Sequence, residues 1–239
     1  MSTFRTLLRA AVVALPLGLA GAAVARAQTA NYDFYVAGFK VGTMTFTPET
    51  GARDYSAQAR ISAAGIVGAF LTFDYAASSS GALGKAGPVP RLFQAVSDSP
   101  SGRRTTRIDW KNGVPVKVTV EPPREDEPDP REQAGTVDPV AAGVAVLSDG
   151  PAERMCATTV DIFDGSRRSR LTVGPRRAVK GGFTCAGTYA RLKGEPHTLS
   201  SQREFPFTLT FSEGADGMAK VRRIETKTSF GTAAMERRS

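Results

Sequence analysis

The stretch Glu204 to Phe211, EFPFTLTF, decides the fold: Phe205, Phe207, Leu209 and Phe211 alternate with Pro206, Thr208 and Thr210. Successive side chains of an extended chain point to opposite faces, so this rhythm gathers the four large apolar groups on one side of a strand. Pro206 has no amide hydrogen to donate, which predicts either an edge strand or one that begins near it.

Short alternating runs broken by Gly, Pro, Asn and Asp recur from Tyr32 onward, the pattern of an antiparallel sheet, sandwich or barrel. Predicted strands cover Tyr32 to Val36, Lys40 to Thr47, Asp54 to Ser62, Leu71 to Ser78, Arg91 to Ser97, Arg104 to Trp110 and Val114 to Val120. Further strands cover Cys156 to Phe163, Arg170 to Gly174, Phe183 to Leu192 and, last, Val221 to Ser229. Asn112-Gly113 is a preferred centre for a tight hairpin, Asp164-Gly165 reads as a second, and Gly181-Gly182 as a turn. One helix is predicted at about 138–147: the Asp138 carboxylate can cap the first free amides, and Pro139 suits the first turn. Gly143 weakens that helix, so packing must hold it. Gly65 to Leu71, GIVGAFL, fits a short helical crossover or a buried strand. The expected fold class is mainly β, a curved antiparallel sheet or an open or half barrel with this one short helix.

The first residues carry Arg5 and Arg9, an uncharged run from Ala10 to Ala25, and Ala25-Arg26-Ala27 before Gln28. That is the three-part pattern of a secretory signal, with cleavage expected after Ala27. The apolar run is shorter than the roughly 20 residues of a membrane-spanning helix. Arg5 and Arg9 are not adjacent, so nothing supports a twin-arginine route. The expected organisation is a signal at 1–27 and a single β-rich domain at 28–239, working in the periplasm with no transmembrane anchor in the mature form. Losing Arg5, Arg9 and Arg26 lowers the net charge from +8 to +5, still basic. Such a balance favours anionic lipid, lipopolysaccharide or polysaccharide as partners, and nucleic acid is a poor partner for an exported chain.

Cys156 and Cys185 are the only cysteines, and in an oxidising compartment such a pair reads as a structural disulfide rather than a metal or C-x-x-C redox site. If the Arg170 strand lies between them, the bridge must cross the fold or join its ends. His197, the only histidine, sits in the loop-like Gly194-Glu195-Pro196-His197, which excludes a zinc motif with two histidines. No G-x-S-x-G elbow, phosphate loop or dinucleotide fingerprint occurs, and no cofactor is implied. Asp161 and Asp164 read as polar residues of a hairpin. Glu121 to Gln133, EPPREDEPDPREQ, has too little apolar surface to fold by itself and reads as a solvated loop or a flap over a cavity. Arginine pairs at Arg103-Arg104 and Arg167-Arg168 lie near turns, where they can collect into a basic rim suited to phosphate or carboxylate.

Four stretches resemble one family: YDFYVAGFKVGTMTF (Tyr32 to Phe46), TVDPVAAGVAVL (Thr136 to Leu147), IFDGSRRSRL after Cys156, and CAGTYARLKG from Cys185. They are similar to the bacterial envelope proteins grouped as domain-of-unknown-function family 3108. The resemblance implies an exported protein on a curved antiparallel sheet and brings no activity or catalytic residue with it.

Three functions compete. The leading one is a noncatalytic binding or carrier-like domain whose apolar concave face, including Phe205, Phe207, Leu209 and Phe211, holds a lipid-like or amphipathic envelope molecule. The second is an assembly or structural factor that contacts a protein or an anionic glycan through Arg103, Arg104, Arg167 and Arg168. The third is a carboxylate-dependent hydrolase, which would need two acids facing each other across a cleft.

Overall fold

The computed structural model describes residues 26–70, 72–123, 128–193 and 202–239. Most of the predicted export signal, Leu71, the centre of the acidic proline-rich loop and His197 with its turn lie outside the described residues.

The first half is a run of hairpins: β1 (Arg26–Ala27), β2 (Ala30–Val36), β3 (Phe39–Thr50), β4 (Asp54–Ala63), helix α1 (Gly65–Phe70), β5 (Asp74–Gly84), β6 (Gly87–Ser99), β7 (Gly102–Lys111) and β8 (Val114–Glu121). Helix α2 (Pro139–Leu147) follows, then β9 (Gly150–Pro151), β10 (Thr158–Phe163), β11 (Arg168–Val179), β12 (Gly182–Lys193), β13 (Glu204–Glu213), β14 (Met218–Thr228) and β15 (Gly231–Arg237). All strands join one antiparallel sheet that stays open, in the order β10-β11-β12-β13-β14-β15-β2-β3-β4-β5-β6-β7-β8, with β1 on β3 and β9 on β14.

The turn chemistry does what its residues dictate. Asn112 and Gly113 adopt φ of 52° and 74°, the left-handed pair that a two-residue turn matched to strand twist needs. At the β10–β11 hairpin, Asp164 accepts the amides of Ser166 and Arg167 at 2.8 and 2.7 Å. The ambiguous GIVGAFL stretch is helical as far as Phe70.

Three expectations need correction. The sheet has a strand beyond Val221 to Ser229: β15 pairs with both β14 and β2 and so joins the two runs of hairpins. Its sequence, GTAAMER, has two alanines followed directly by a single large apolar residue, Met235, so alternation gave no signal. Of the two placements open to Pro206, the structure has the second: β13 lies between β12 and β14, and Pro206 sits near its start. Cys156 precedes β10 rather than lying in it, with Ala157 at φ 58° turning the chain. Finally, the end of the acidic loop is anchored inside: Pro130–Gln133 forms a 3-10 turn and Gln133 and Thr136 are buried.

The sheet curls around α2. That helix, PVAAGVAVL, carries no charge and is apolar all round, the composition of a helix with no solvent face. It packs on β4, β5 and β6 on one side and on β10 on the other. The gap between the edge strands β8 and β10 is bridged by the segment leading into α2. Gly135 donates its amide to Gly113 O, and Val137 exchanges backbone bonds with Asp161 and Phe163 of β10. Gly165, at the β10–β11 tip, fits against Thr106, Ile108 and Val120 of β7 and β8. Both edges are thereby covered, which removes the usual aggregation hazard of an open sheet.

Candidate functional site

Helix α2 is fixed from its first residue. Asp138 Oδ1 accepts the amides of Val140 and Ala141 at 2.9 and 2.8 Å, and Oδ2 accepts from Ser79 Oγ at 2.6 Å. Ser79 Oγ lies 2.9 Å from Tyr55 Oη. Because the Ser79 proton is committed to the carboxylate, Tyr55 is the donor in that second bond. Burial pushes the Asp138 carboxyl up to about 6, against the bonds from Ser79 and the amides, and it pushes the Tyr55 phenol upward as well. The trio has the atoms of a proton relay, but Asp138 is 0% exposed and Tyr55 and Ser79 are each 3% exposed, so no substrate reaches them. Its capacity for hydrogen bonds is spent on holding the helix.

Along one flank of α2 runs an apolar cleft of about 370 Å³. The helix contributes Pro139, Ala142, Gly143, Val146 and Leu147; the sheet contributes Ile162, Leu171, Tyr189, Phe205, Phe207, Leu209, Ile224 and Thr226. Two glycines set its shape. A Cβ on Gly143 would stand 3.1 Å from Cε2 of the buried Phe46 ring, so any larger residue needs that ring to give by a few tenths of an ångström. Across the sheet, Gly187 pairs directly with Phe207, and the Phe207 ring occupies the space a side chain at 187 would need. Phe205 and Phe207 are half-buried, tilted toward the cleft mouth, where Tyr189 meets Phe205 at 6.3 Å and the Arg191 guanidinium lies 4.7 Å over the Phe205 ring.

The structure therefore brings Phe205, Phe207 and Leu209 together in one cleft. Phe211 is elsewhere: it is buried and stacked at 4.7 Å on Phe183, whose ring the Arg176 guanidinium covers. Of the basic residues, Arg104 and Arg167 line a second cavity of about 500 Å³ at the α2 N-terminus, together with Tyr75, Ser97, Asp164 and Pro139. Arg103 is exposed on the opposite face of β7, as strand parity requires. Arg168 is tied to Asp161 at 2.8 Å and to Glu132 O at 3.0 Å. Asp161 also holds Arg170 at 2.6 Å, and the Arg170 and Arg168 guanidiniums keep its carboxyl below the ordinary range.

Sequence reading missed the helix side of the cleft and Arg191. The available signal was the small-residue pair Ala142 and Gly143 on a helix followed by Val146 and Leu147, which leaves room beside the backbone where a larger pair would fill it.

Cys156 and Cys185 form a disulfide with Cα atoms 6.1 Å apart. The Arg170 strand, β11, does lie between their strands. The bridge crosses it where the β11–β12 register shifts between Val173 and Arg176, and Ala157 donates its amide to Gly174 O at that point. No cluster of three metal-ligating side chains occurs among the described residues, and among them no helix is long and apolar enough to cross a membrane.

Fold and site together define a class: an open antiparallel sheet curled round one buried helix, with an apolar cleft along that helix. The chain belongs to the DUF3108 family, described as a protein of unknown function, whose family model matches residues 31–238. No curated protein matches it. Among solved structures, the chain is similar to a beta-barrel-like protein of domain of unknown function DUF1849 from Brucella abortus, at 14% identity. That match covers 91% of this chain and 97% of the other with a TM-score of 0.47.

Proposed function

We propose that this is a noncatalytic binding protein of the bacterial periplasm, exported by the signal in residues 1–27, that holds a lipid-like or amphipathic molecule along helix α2. The observation that carries this reading is the 370 Å³ cleft with Phe205 and Phe207 left half-buried at its mouth. Ligand pockets fall in the range of about 300–1,000 Å³ and are mostly apolar with few polar groups, so this cleft suits a single alkyl chain or ring system rather than a multi-chain lipid. Leaving two large aromatic rings partly in water costs hydrophobic stabilisation of about 25 cal/mol per Å² exposed, which a bound chain recovers. The disulfide and the basic balance are in keeping with an oxidising envelope compartment. A hydrolase reading finds less support, because the buried acid Asp138 faces Ser79 and backbone amides rather than a second carboxylate.

The test is displacement of a fluorescent apolar probe by alkyl amphiphiles of increasing chain length, alongside mass spectrometry of an organic extract of the purified protein. Wild type is expected to bind and Phe207→Glu to lose binding while keeping its circular dichroism. A wild-type protein that extracts empty and displaces no probe overturns the reading.

A further inference from the structure

Resting on that binding role, we infer that the ligand is a single-chain amphiphile with an anionic oxyanion head, carboxylate or phosphate, its chain in the cleft and its head at the arginines around the N-terminal end of α2.

The first observation is Arg104. By strand parity it shares the concave face of β7 with Thr106, Ile108 and Trp110, and it is half-buried. Four arginines of the sheet are matched to acids, Arg107 to Asp109, Arg170 to Asp161, Arg176 to Glu213 and Arg223 to Glu225, whereas Arg60, Arg103, Arg177 and Arg222 have no such acid but are exposed to water. The Arg104 guanidinium, by contrast, is half-buried and makes no ion pair with a described residue. A guanidinium drawn onto a concave face loses hydration, and an oxyanion is its natural complement because the planar fork meets two oxygens at once. Its cavity adds Arg167, the hydroxyls of Tyr75 and Ser97, and one carboxylate, Asp164, which is occupied by the turn amides of Ser166 and Arg167.

The second observation is position. Pro139 is a wall of both the polar cavity and the apolar cleft, so both lie beside the head of α2. Arg191 is level with the same end of the helix, three strand steps across the sheet: it pairs with Ser169, which pairs with Ile162, which bridges Val137 immediately before the helix. Its guanidinium covers Phe205 at the cleft mouth. An apolar slot with positive charge concentrated at one end is complementary to a chain with one charged end.

Isothermal titration of wild type with decanoate, decyl phosphate and the neutral decanol tests this. Both anions are expected to bind at least tenfold tighter than decanol, with affinity falling as salt rises. The preferred anion tells a carboxylate head from a phosphate head. Arg104→Met with Arg191→Met, which keeps the stems, is expected to bring the anions to the decanol level. Should decanol bind wild type as tightly as the anions, or the double variant keep anion affinity within twofold, the head assignment is overturned while the binding role stands. If none of the three binds, both fall. The wild-type comparison and its salt dependence decide the matter even where the double variant fails to fold.

Discussion

Ser79 on β5 donates a 2.6 Å hydrogen bond to Asp138, tying the head of α2 to a strand 59 residues earlier. Burial raises the Asp138 carboxyl from 3.8 to about 6, so the native state holds this proton more tightly than the unfolded chain does. Its contribution is therefore full below about pH 4 and is lost as pH rises through about 6, a change of about 3 kcal/mol. Asp138→Asn keeps a cap oxygen but has no such titration. Denaturant melts of both proteins from pH 4 to 8 are expected to show the variant gaining on wild type across that window. A constant difference would rule the assignment out.

Gly143 and Phe46 set the depth of the helix. Replacing glycine by alanine inside a helix normally gains about 1 kcal/mol. Here the added methyl meets a ring that is 1% exposed, and overpacking of this kind costs about 1–3 kcal/mol. Gly143→Ala is expected to lower the unfolding midpoint. Combining it with Phe46→Leu should recover part of the helix gain, a coupling that a double-mutant cycle reads directly.

At the seam, Gly165 has φ of 94°, and a Cβ there would lie 2.9 Å from Thr106 Cγ2. Gly165→Ala thus combines a backbone cost of about 1–2 kcal/mol with a clash. Adding Thr106→Ser removes the methyl in the way and is expected to restore only the second part. Full restoration in chemical denaturation would show that the backbone conformation is not costly.

The disulfide closes a sequence separation of 29. Loop entropy gives it a value of about 3–4 kcal/mol. Reductant is expected to shift the denaturation midpoint of wild type downward and to leave a Cys156→Ser, Cys185→Ser variant unmoved. A wild-type midpoint insensitive to full reduction would refute this.

Export is checked by intact mass. Protein recovered from the periplasm of an expressing cell should begin at Gln28, without the two-residue β1 that flanks β3, and Ala27→Asp should block processing. Recovery with Met1 still attached would remove the signal reading.

Features written in local chemistry were legible in the sequence. Asn112-Gly113 needs its left-handed turn whatever surrounds it, Asp138-Pro139 starts a helix by itself, and the Phe205 to Phe211 rhythm fixes a face. What could not be read depends on partners far away in the chain. GTAAMER becomes a strand because β14 and β2 flank it. Phe207 stays in the cleft because Gly187 lies opposite. Gln133, in a polar run that looks fully solvated, is buried where the chain fills the gap between β8 and β10. Phe211 shares parity with Phe207, yet the stack on Phe183 takes it out of the cleft, a distinction that alternation cannot make.

The union of β15 with β2 places very long-range contacts in the middle of the sheet: Arg238 Nε donates to Asp33 across 205 positions. Loss of residues 231–239 would consequently not trim a border. It would split the sheet and leave β14 and β2 as two raw margins, each able to recruit a strand from another molecule. The intact protein escapes such swapping by completing the weld with a segment drawn from far along its own chain.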